Sequence, residues 1–265
     1  MDSEATPRIL TVGVLALQGA FSEHFTLLRQ AARNLTTPCS WTFREVRTEP
    51  DLAACDALIL PGGESTTMAL VAQRSGLLEP LRHFVKIAQK PTWGTCAGLI
   101  LLADAVVRSR EGGQDLIGGL HVQAARNHFG RQTESFEADL HLPFLAANSP
   151  PDASTEAAPA TTAPFRAIFI RAPIVEKVLP IPTDPHLHAS EAPPENPVRI
   201  LAVLPRREAG ISLEPTTPPY ISENGDIIAV QQANIFATSF HPELTGDARI
   251  HEWWLKQVVQ AIYHK

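Results

Sequence analysis

The sequence has no basic run and no long apolar stretch. Its 265 residues carry a formal net charge of −6, whereas nucleic-acid-binding domains usually present a basic face. No apolar stretch approaches the roughly 20 residues that a membrane-spanning helix needs. Residues 1–7 are polar and acidic, without the charged-then-apolar order of a signal peptide. We therefore expect a cytoplasmic protein with neither a nucleic-acid nor a membrane partner.

Cysteine is also scarce. The three cysteines, Cys39, Cys55 and Cys96, are an odd number and form no Cys-x-x-Cys pair. A disulfide framework uses an even and denser set, so this pattern is typical of a reduced intracellular protein.

What the first half does contain is an alternation of apolar and amphipathic segments. Residues 9–17 are almost continuously apolar, which predicts a strand buried on both faces. Ser22 is a plausible N-cap for a helix over 22–34. Further strands are predicted at 41–46 and 57–60, and further helices at 66–73, 77–89 and 97–107. This alternation predicts a three-layer α/β fold around a mostly parallel sheet.

The second half predicts strands without helices between them. They fall at 135–140, 165–170, 200–204, 227–232 and 235–240, before a final helix at 247–264. Such a run of strands predicts an antiparallel extension of the sheet.

Three proline-rich segments interrupt this second half. They cover about 148–164, 180–197 and 214–224, contain most of the 23 prolines and have little to bury. Such composition is typical of surface insertions or linkers. Because none of them separates two cores, we predict a single domain over 1–265.

Cys96 lies in a sequence typical of a nucleophile elbow. Gly94 and Gly98 flank it in the G-x-nucleophile-x-G form, between a strand and an apolar helix. A cysteine at a helix start lies beside unpaired N–H groups, which favour its thiolate, and the N–H of Ala97 would face a developing oxyanion. The alternative is a buried core cysteine, the interpretation that we favour for Cys39 and Cys55.

His241 and Glu243 follow a predicted strand. Pro242 favours an extended conformation at His241, and residues two apart in extended chain face the same side. Glu243 would then fix the imidazole tautomer and leave the other ring nitrogen to take a thiol proton. The alternative is a solvated His-x-Glu at a strand end, so the pairing with Cys96 depends on the fold.

The segment around Gly62 and Gly63 joins a strand to a helix. Backbone N–H groups at a helix start bind anions, so a phosphate loop is one interpretation. The segment lacks both the P-loop lysine and the third glycine of a dinucleotide fingerprint. We therefore favour the N–H of Gly63 as a second oxyanion donor.

Six segments in order resemble one known family. They are GVLALQGAFSEH, LILPGGESTTM, WGTCAGLILLA, ARNHFGRQTESFEADL, FIRAP and SFHPELTGD. Together they are similar to the glutaminase subunits of pyridoxal 5′-phosphate synthase, which are class I, triad-type glutamine amidotransferases with a flavodoxin-like fold. The proline-rich insertions depart from the compact members of that family and leave these segments intact.

The resemblance implies a reaction and a partner. Cys96, His241 and Glu243 would hydrolyse L-glutamine through a thioester, and the ammonia would pass to a separate (β/α)8-barrel synthase subunit. No cofactor is expected on this chain, because the aldehyde chemistry would belong to that partner.

The resemblance also implies a set of substrate contacts, which are Gly63, Glu64, Ser65, Arg126, Ile170 and Arg171. Arginine suits the α-carboxylate of glutamine because its planar fork can bind both oxygens. We expect no metal site, since the His186-x-His188 pair has no evident third ligand.

Two other classes of function stay open at this stage. One is another cysteine hydrolase of the same fold, such as a γ-glutamyl hydrolase or a peptidase. The other is a non-enzymatic regulatory homologue, which a broken triad would mark. The sequence breaks none of the three triad positions.

Overall fold

The structure is a computed structural model. It describes residues 7–107, 113–126, 135–146, 163–180, 196–205 and 225–263. The proline-rich segments predicted at about 148–164, 180–197 and 214–224 lie almost entirely outside these ranges, as do His186 and His188.

Strands and helices alternate through the first half of the chain. In order, its elements are β1 (Arg8–Leu15), α1 (Phe21–Asn34), β2 (Cys39–Val46), α2 (Glu49–Ala53), β3 (Ala57–Leu60), α3 (Ser65–Arg74), α4 (Leu78–Arg82), β4 (Thr92–Thr95), α5 (Ala97–Leu102), β5 (Ala103–Val107) and β6 (Leu120–Ala125). A π-helical turn, His83–Ile87, continues α4.

The second half is dominated by strands. In order, its elements are β7 (Ser135–Leu140), α6 (Pro143–Ala146), β8 (Phe165–Ile170), β9 (Ile174–Val178), β10 (Arg199–Leu204), β11 (Asp226–Gln232), β12 (Ile235–Thr238), a short 3-10 helix (Pro242–Leu244) and α7 (Arg249–Tyr263).

One large sheet organises these elements. Its strand order is β2-β1-β3-β4-β12-β11-β9-β6-β5, and β10 pairs with β11. The five strands from β2 to β12 are parallel, whereas β11 runs antiparallel to β12, β9 and β10. The prediction of a mostly parallel α/β sheet with an antiparallel extension is confirmed.

Helices cover both faces of the sheet. Leu10, Val12 and Val14 of β1 pack in one apolar cluster with Leu28 of α1 and Trp254 of α7. On the other face, the cluster includes Leu58 and Leu60 of β3, Met68 of α3, Leu81 of α4 and Leu102 of α5. β1 is buried on both faces because it lies between β2 and β3, with helices on both faces of the sheet. Within the described ranges, no helix has the length and apolar character needed to cross a bilayer.

The predicted helix over 97–107 is wrong in its second half. α5 ends at Leu102, and the next five residues form β5, which pairs in parallel with β6. A short apolar run fits a buried helix or a buried strand equally well, so periodicity alone could not separate the two. Pairing with β6, a strand that the sequence did not predict, decides the outcome.

The predicted N-cap at Ser22 is also wrong. α1 begins at Phe21, Ala20 is its N-cap residue, and no side chain caps it. The Ser22 hydroxyl instead donates to the Glu23 carboxylate. The helix start is set by the preceding loop, because the Ala20 N–H donates to the Gly62 carbonyl at 3.1 Å.

Two further expectations for the second half need correction. β7 and β8 form a separate two-stranded sheet rather than part of the extension, and α6 lies between them although no helix was predicted there. β9 was not predicted, yet it links β11 to β6 in the large sheet. That side of the sheet is therefore built by β9, β6 and β5, none of which the sequence predicted as a strand.

Candidate active site

Cys96 lies at the turn between β4 and α5. Its backbone angles are φ 48° and ψ −100°, a conformation that only glycine adopts without strain. The side chain is 6% exposed, and the Cys96 N–H donates to the Thr238 carbonyl at 2.8 Å. A strained, nearly buried cysteine held at a strand-to-helix turn is the geometry of a nucleophile elbow.

The glycines on either side of Cys96 are required by close packing. A Cβ at Gly98 would overlap the Leu60 carbonyl oxygen of β3, and a Cβ at Gly94 would lie 2.5 Å from the Gly98 carbonyl carbon. Neither contact is possible for a side-chain carbon, so α5 can approach the sheet this closely only without side chains at these two positions.

His241 lies beyond the end of β12, the strand that pairs in parallel with β4. The carboxyl ends of two adjacent parallel strands therefore bring Cys96 and His241 to the same edge of the sheet. The His241 N–H donates to the Ile168 carbonyl of β8 at 2.8 Å, which fixes the backbone here.

Glu243 contacts His241 through one carboxylate oxygen. His241 Nδ1 lies 2.7 Å from Glu243 Oε1, and both side chains are buried. We expected extended chain to bring the two together, but Glu243 lies in the 3-10 helix instead. The Nδ1 contact leaves Nε2 as the ring nitrogen available to the thiol.

Opposing effects set the ionisation of this pair. Burial alone would lower the pKa of His241, but the neighbouring Cys96 and Glu243 outweigh burial and raise that pKa above its ordinary value. Burial would raise the pKa of Glu243, but His24 and His241 outweigh it, so this pKa is lowered. An ionised Glu243 beside a readily protonated His241 is the arrangement that a thiol needs to give up its proton.

The loop of Gly62 and Gly63 passes beside the His241 ring. A Cβ at Gly62 would overlap ring atom Cε1, so the loop approaches the imidazole as closely as backbone can. Gln18 braces the same loop, since its side-chain oxygen accepts from the Glu64 N–H at 2.8 Å. The N–H of Ala97, the first residue of α5, is unpaired by helix geometry. The predicted oxyanion donors thus both belong to backbone next to the Cys96–His241 edge.

Glu64 caps α3. Its carboxylate accepts from the N–H groups of Thr66 and Thr67, at 3.2 and 2.6 Å. Burial would raise the pKa of Glu64, but these hydrogen bonds, and that from the Thr67 hydroxyl, lower it overall. The sequence did not predict this capping role.

Gln114 joins two of the predicted substrate residues. Its side-chain oxygen accepts from the Ser65 hydroxyl at 3.2 Å, from the Thr66 hydroxyl at 3.3 Å and from Arg126 Nη2. The Arg126 Nη1 also donates to Thr66 at 3.4 Å. Burial is the main cause of a lowered pKa at Arg126, which Glu64 counteracts. Sequence reasoning missed Gln114 because it precedes β6 in a loop that matches no motif.

Ile170 and Arg171 lie at the end of β8. Both are exposed, and Arg171 adopts a left-handed φ of 47°. The same strand contacts His241 through the Ile168 carbonyl, so this predicted pair follows that contact closely along the chain.

A histidine that the sequence analysis did not assign lies behind Glu243. His24 of α1 places Nε2 3.6 Å from Glu243 Oε2, and its Nδ1 lies 3.0 Å from His251 Nε2 of α7. Both histidines are fully buried. His24 is the last residue of the GVLALQGAFSEH segment, but nothing in the sequence connects it with positions 243 and 251.

Among the described residues, no group of three or more His, Cys, Asp or Glu side chains is arranged to hold a metal ion.

Comparison with known proteins gives the same picture from an independent direction. The model of the SNO glutamine amidotransferase family matches residues 14–260. A relative from Arabidopsis thaliana, named probable pyridoxal 5′-phosphate synthase subunit PDX2, is 44% identical over 93% of this chain and 85% of its own length. The Saccharomyces cerevisiae pyridoxal 5′-phosphate synthase subunit SNO1 is 38% identical over 94% of this chain and 92% of its own.

A solved structure agrees in fold. It is described as a glutamine amidotransferase, is 34% identical, and superimposes with a TM-score of 0.62 over 93% of this chain and 98% of its own. The family match spans the nucleophile elbow, the Gly62–Gly63 loop and the His241–Glu243 pair. The chain therefore belongs to the SNO glutamine amidotransferase family.

Proposed function

We propose that this chain hydrolyses L-glutamine to L-glutamate and ammonia and supplies the ammonia to a pyridoxal 5′-phosphate synthase. The observation that carries the proposal is a cysteine in a left-handed elbow beside a buried His–Glu pair, His241 Nδ1 being 2.7 Å from Glu243. Family membership supports the amide substrate, and the printed names of the relatives support the vitamin B6 pathway.

The proposed reaction proceeds in two halves. His241 takes the thiol proton as Cys96 Sγ attacks the side-chain amide carbon of glutamine, and the same proton then goes to the leaving ammonia as the C–N bond breaks. Water next attacks the thioester while His241 takes its proton. The C–S bond breaks, glutamate leaves, and the proton returns to the sulfur. Glu243 holds the imidazole in the required tautomer throughout.

Backbone donors would stabilise the tetrahedral intermediates. We assign the N–H groups of Gly63 and Ala97 to the oxyanion, since both lie on backbone that flanks the Cys96–His241 edge. The loop at Gly62 fits this role because it packs against the His241 ring itself.

The substrate's amino-acid end would be bound beyond the reacting carbon. We assign Gly63, Glu64, Ser65, Arg126, Ile170 and Arg171 to these contacts. Arg126 is part-buried and already holds a side-chain amide oxygen, that of Gln114, which supports an oxygen ligand such as a carboxylate at this guanidinium.

The partner and setting belong to the same proposal. The partner is a (β/α)8-barrel synthase subunit, and the complex is cytoplasmic. This chain forms one domain and binds no cofactor of its own, because the aldehyde chemistry takes place on the partner.

A second cysteine hydrolase activity, such as γ-glutamyl hydrolysis or peptide hydrolysis, is not favoured by the relatives. A non-enzymatic role is not favoured either, since the side chains of Cys96, His241 and Glu243 are all present and grouped at one edge of the sheet.

The test is ammonia release from L-glutamine, measured with and without the synthase subunit. Cys96→Ala should abolish release while leaving the fold and partner binding intact, because alanine fits the space of a small side chain. Cys39→Ala is the matched control, since Cys39 is buried at the start of β2 and should keep full activity. Release by Cys96→Ala above a few per cent of wild type would contradict the assignment.

A further inference from the structure

The catalytic carboxylate has two oxygens, and the triad uses only one. Glu243 Oε1 receives His241 Nδ1 at 2.7 Å, whereas Oε2 has no hydrogen-bond partner at normal distance among the described residues. The titratable side chain that faces Oε2 from the neighbouring helix α1 is His24, whose Nε2 lies 3.6 Å away, and both side chains are completely buried. A buried ionised oxygen left without a donor is strongly unfavourable.

The protonation of His24 follows from its neighbours. Burial is the main cause that lowers the pKa of His24, and of His251, to about 3, so both rings are neutral near neutral pH. A neutral imidazole has one donor nitrogen and one acceptor nitrogen. An unprotonated Nε2 would point a lone pair at the Glu243 carboxylate, so the proton belongs on Nε2.

His251 completes this assignment. With its proton on Nε2, His24 must accept at Nδ1, and His251 Nε2 lies 3.0 Å from that atom as the donor. The remaining nitrogen, His251 Nδ1, is then an unprotonated acceptor, which agrees with its having no hydrogen-bond partner. The hydroxyl oxygen of Thr95, next to Cys96 in the chain, lies 3.4 Å from His24 Nε2 and with this tautomer is a second acceptor for the same N–H.

We propose that His24 is a positioning residue, whose Nε2–H holds the second oxygen of Glu243 while His251 fixes its tautomer. This inference rests on the triad assigned under the proposed function. Catalytic hydrogen bonds are often long in the free enzyme and tighten in the complex, and a movement of about 0.6 Å would bring this contact to normal length.

A neutral donor suits this position better than a cation. An Arg or Lys at Oε2 would cancel the charge that Glu243 offers to the imidazolium of His241. The N–H of a neutral ring fixes the plane of the carboxylate and leaves its charge in place. An apolar side chain would fill the same volume at a lower desolvation cost. Two buried histidines at this place are therefore explained by the hydrogen bonds that their rings make.

A double-mutant cycle tests the inference in the complex with the synthase subunit. His24→Leu should lower kcat about tenfold with KM unchanged, the size expected for one charge-assisted hydrogen bond. In the Glu243→Gln background the same change should lower kcat less than about twofold, because residues that act through one another are not additive. Leu28→Ala is the matched control: Leu28 is buried one turn along α1, and its loss should reduce stability without reducing kcat per folded molecule.

Conservative variants keep the test decisive if His24→Leu does not fold. The amide nitrogen of Gln reaches the place of Nε2, whereas that of Asn reaches only the place of Nδ1. His24→Gln should therefore retain kcat within about threefold, and His24→Asn should lose about tenfold. Equal losses for Gln and Asn, or the same loss from His24→Leu in both backgrounds, would overturn the positioning role alone. Activity that survives Cys96→Ala would instead overturn the triad and the proposed function.

Discussion

At the scale of single residues, the proposed nucleophile is held in a backbone conformation that disfavours its own side chain. Cys96 combines φ 48° with ψ −100°, and the Cβ that carries the sulfur is the source of the strain. The fold accepts this strain because the Cys96 N–H is anchored to Thr238 and the two flanking glycines let α5 pack against β3.

This strain predicts a stability difference between two inactive variants. Cys96→Gly should be more stable than Cys96→Ala by about 1 kcal/mol, because glycine adopts the left-handed conformation without a Cβ penalty. The free energy of unfolding in urea measures the difference. An alanine variant as stable as the glycine variant would show that the elbow is relaxed.

The residues of the site differ in how far the sequence could predict them. Cys96, His241 and Glu243 stand in short motifs whose neighbours, Gly94, Gly98 and Pro242, carry local signals. His24 and Gln114 carry none. His24 meets a residue 227 positions away, and Gln114 meets Arg126 across a loop, so their contacts exist only after the sheet has formed.

At the scale of elements, the approach of α5 to the sheet leaves no room for a side chain at Gly98. Gly98→Ala should lower the free energy of unfolding by about 3 kcal/mol or more, because the new Cβ would overlap the Leu60 carbonyl and backbone must move. Activity should fall with it, since α5 also carries the Ala97 N–H.

Gly76→Ala provides the comparison. Gly76 follows α3 with φ +74°, and a Cβ there would meet no atom within 4 Å. Its substitution should cost only the left-handed penalty of about 1–2 kcal/mol. Equal losses for the two variants, measured by urea unfolding, would contradict a steric role for Gly98.

Elements were predictable where local pattern and tertiary pairing agree. β1, α1 and β3 carry long or well-bounded apolar patterns, and each packs into the core on a face of the large sheet. The stretch from α5 into β5 failed because six residues of helix and five of strand share one apolar run. β5 is a strand because it pairs with β6, and no sequence pattern predicted β6.

At the scale of the whole molecule, two buried neutral histidines couple stability to pH. The folded chain holds the pKa of His24 and His251 at about 3, mainly by burial, whereas an unfolded histidine titrates near about 6.5. Between these values the unfolded chain binds protons that the folded chain does not. Stability from this pair is therefore complete above about pH 6.5 and is lost as pH falls toward 3.

The expected slope can be measured directly. Each histidine should contribute up to about 1.4 kcal/mol per pH unit to the fall in unfolding free energy near pH 5. His241, whose pKa is raised, is protonated in both states at that pH and adds little. His251→Phe should remove about half of the slope, whereas Leu28→Ala should lower stability equally at every pH. An unchanged slope in His251→Phe would contradict a buried neutral His251.

The synthase subunit should stimulate the proposed glutamine hydrolysis. In the free chain, the Gly62 carbonyl accepts from the Ala20 N–H, so the peptide that carries the Gly63 N–H is tied to the loop before α1. Reorienting that peptide toward an oxyanion breaks one backbone hydrogen bond, and one oxyanion donor changes the rate roughly a hundredfold. We expect kcat to rise by about that factor in the complex, with a smaller change in KM. Equal turnover by free chain and complex would refute this.

The start of α1 contacts both the Gly62–Gly63 loop and Glu243. Ala20, immediately before the helix, holds the Gly62 carbonyl, and His24, one turn later, faces Glu243. A single turn of helix is stiff, because its backbone hydrogen bonds fix each residue relative to the next. The loop that we assign to the oxyanion and the carboxylate that we propose orients the base are therefore both attached to the first turn of α1, and a displacement of α1 along its axis would move them together.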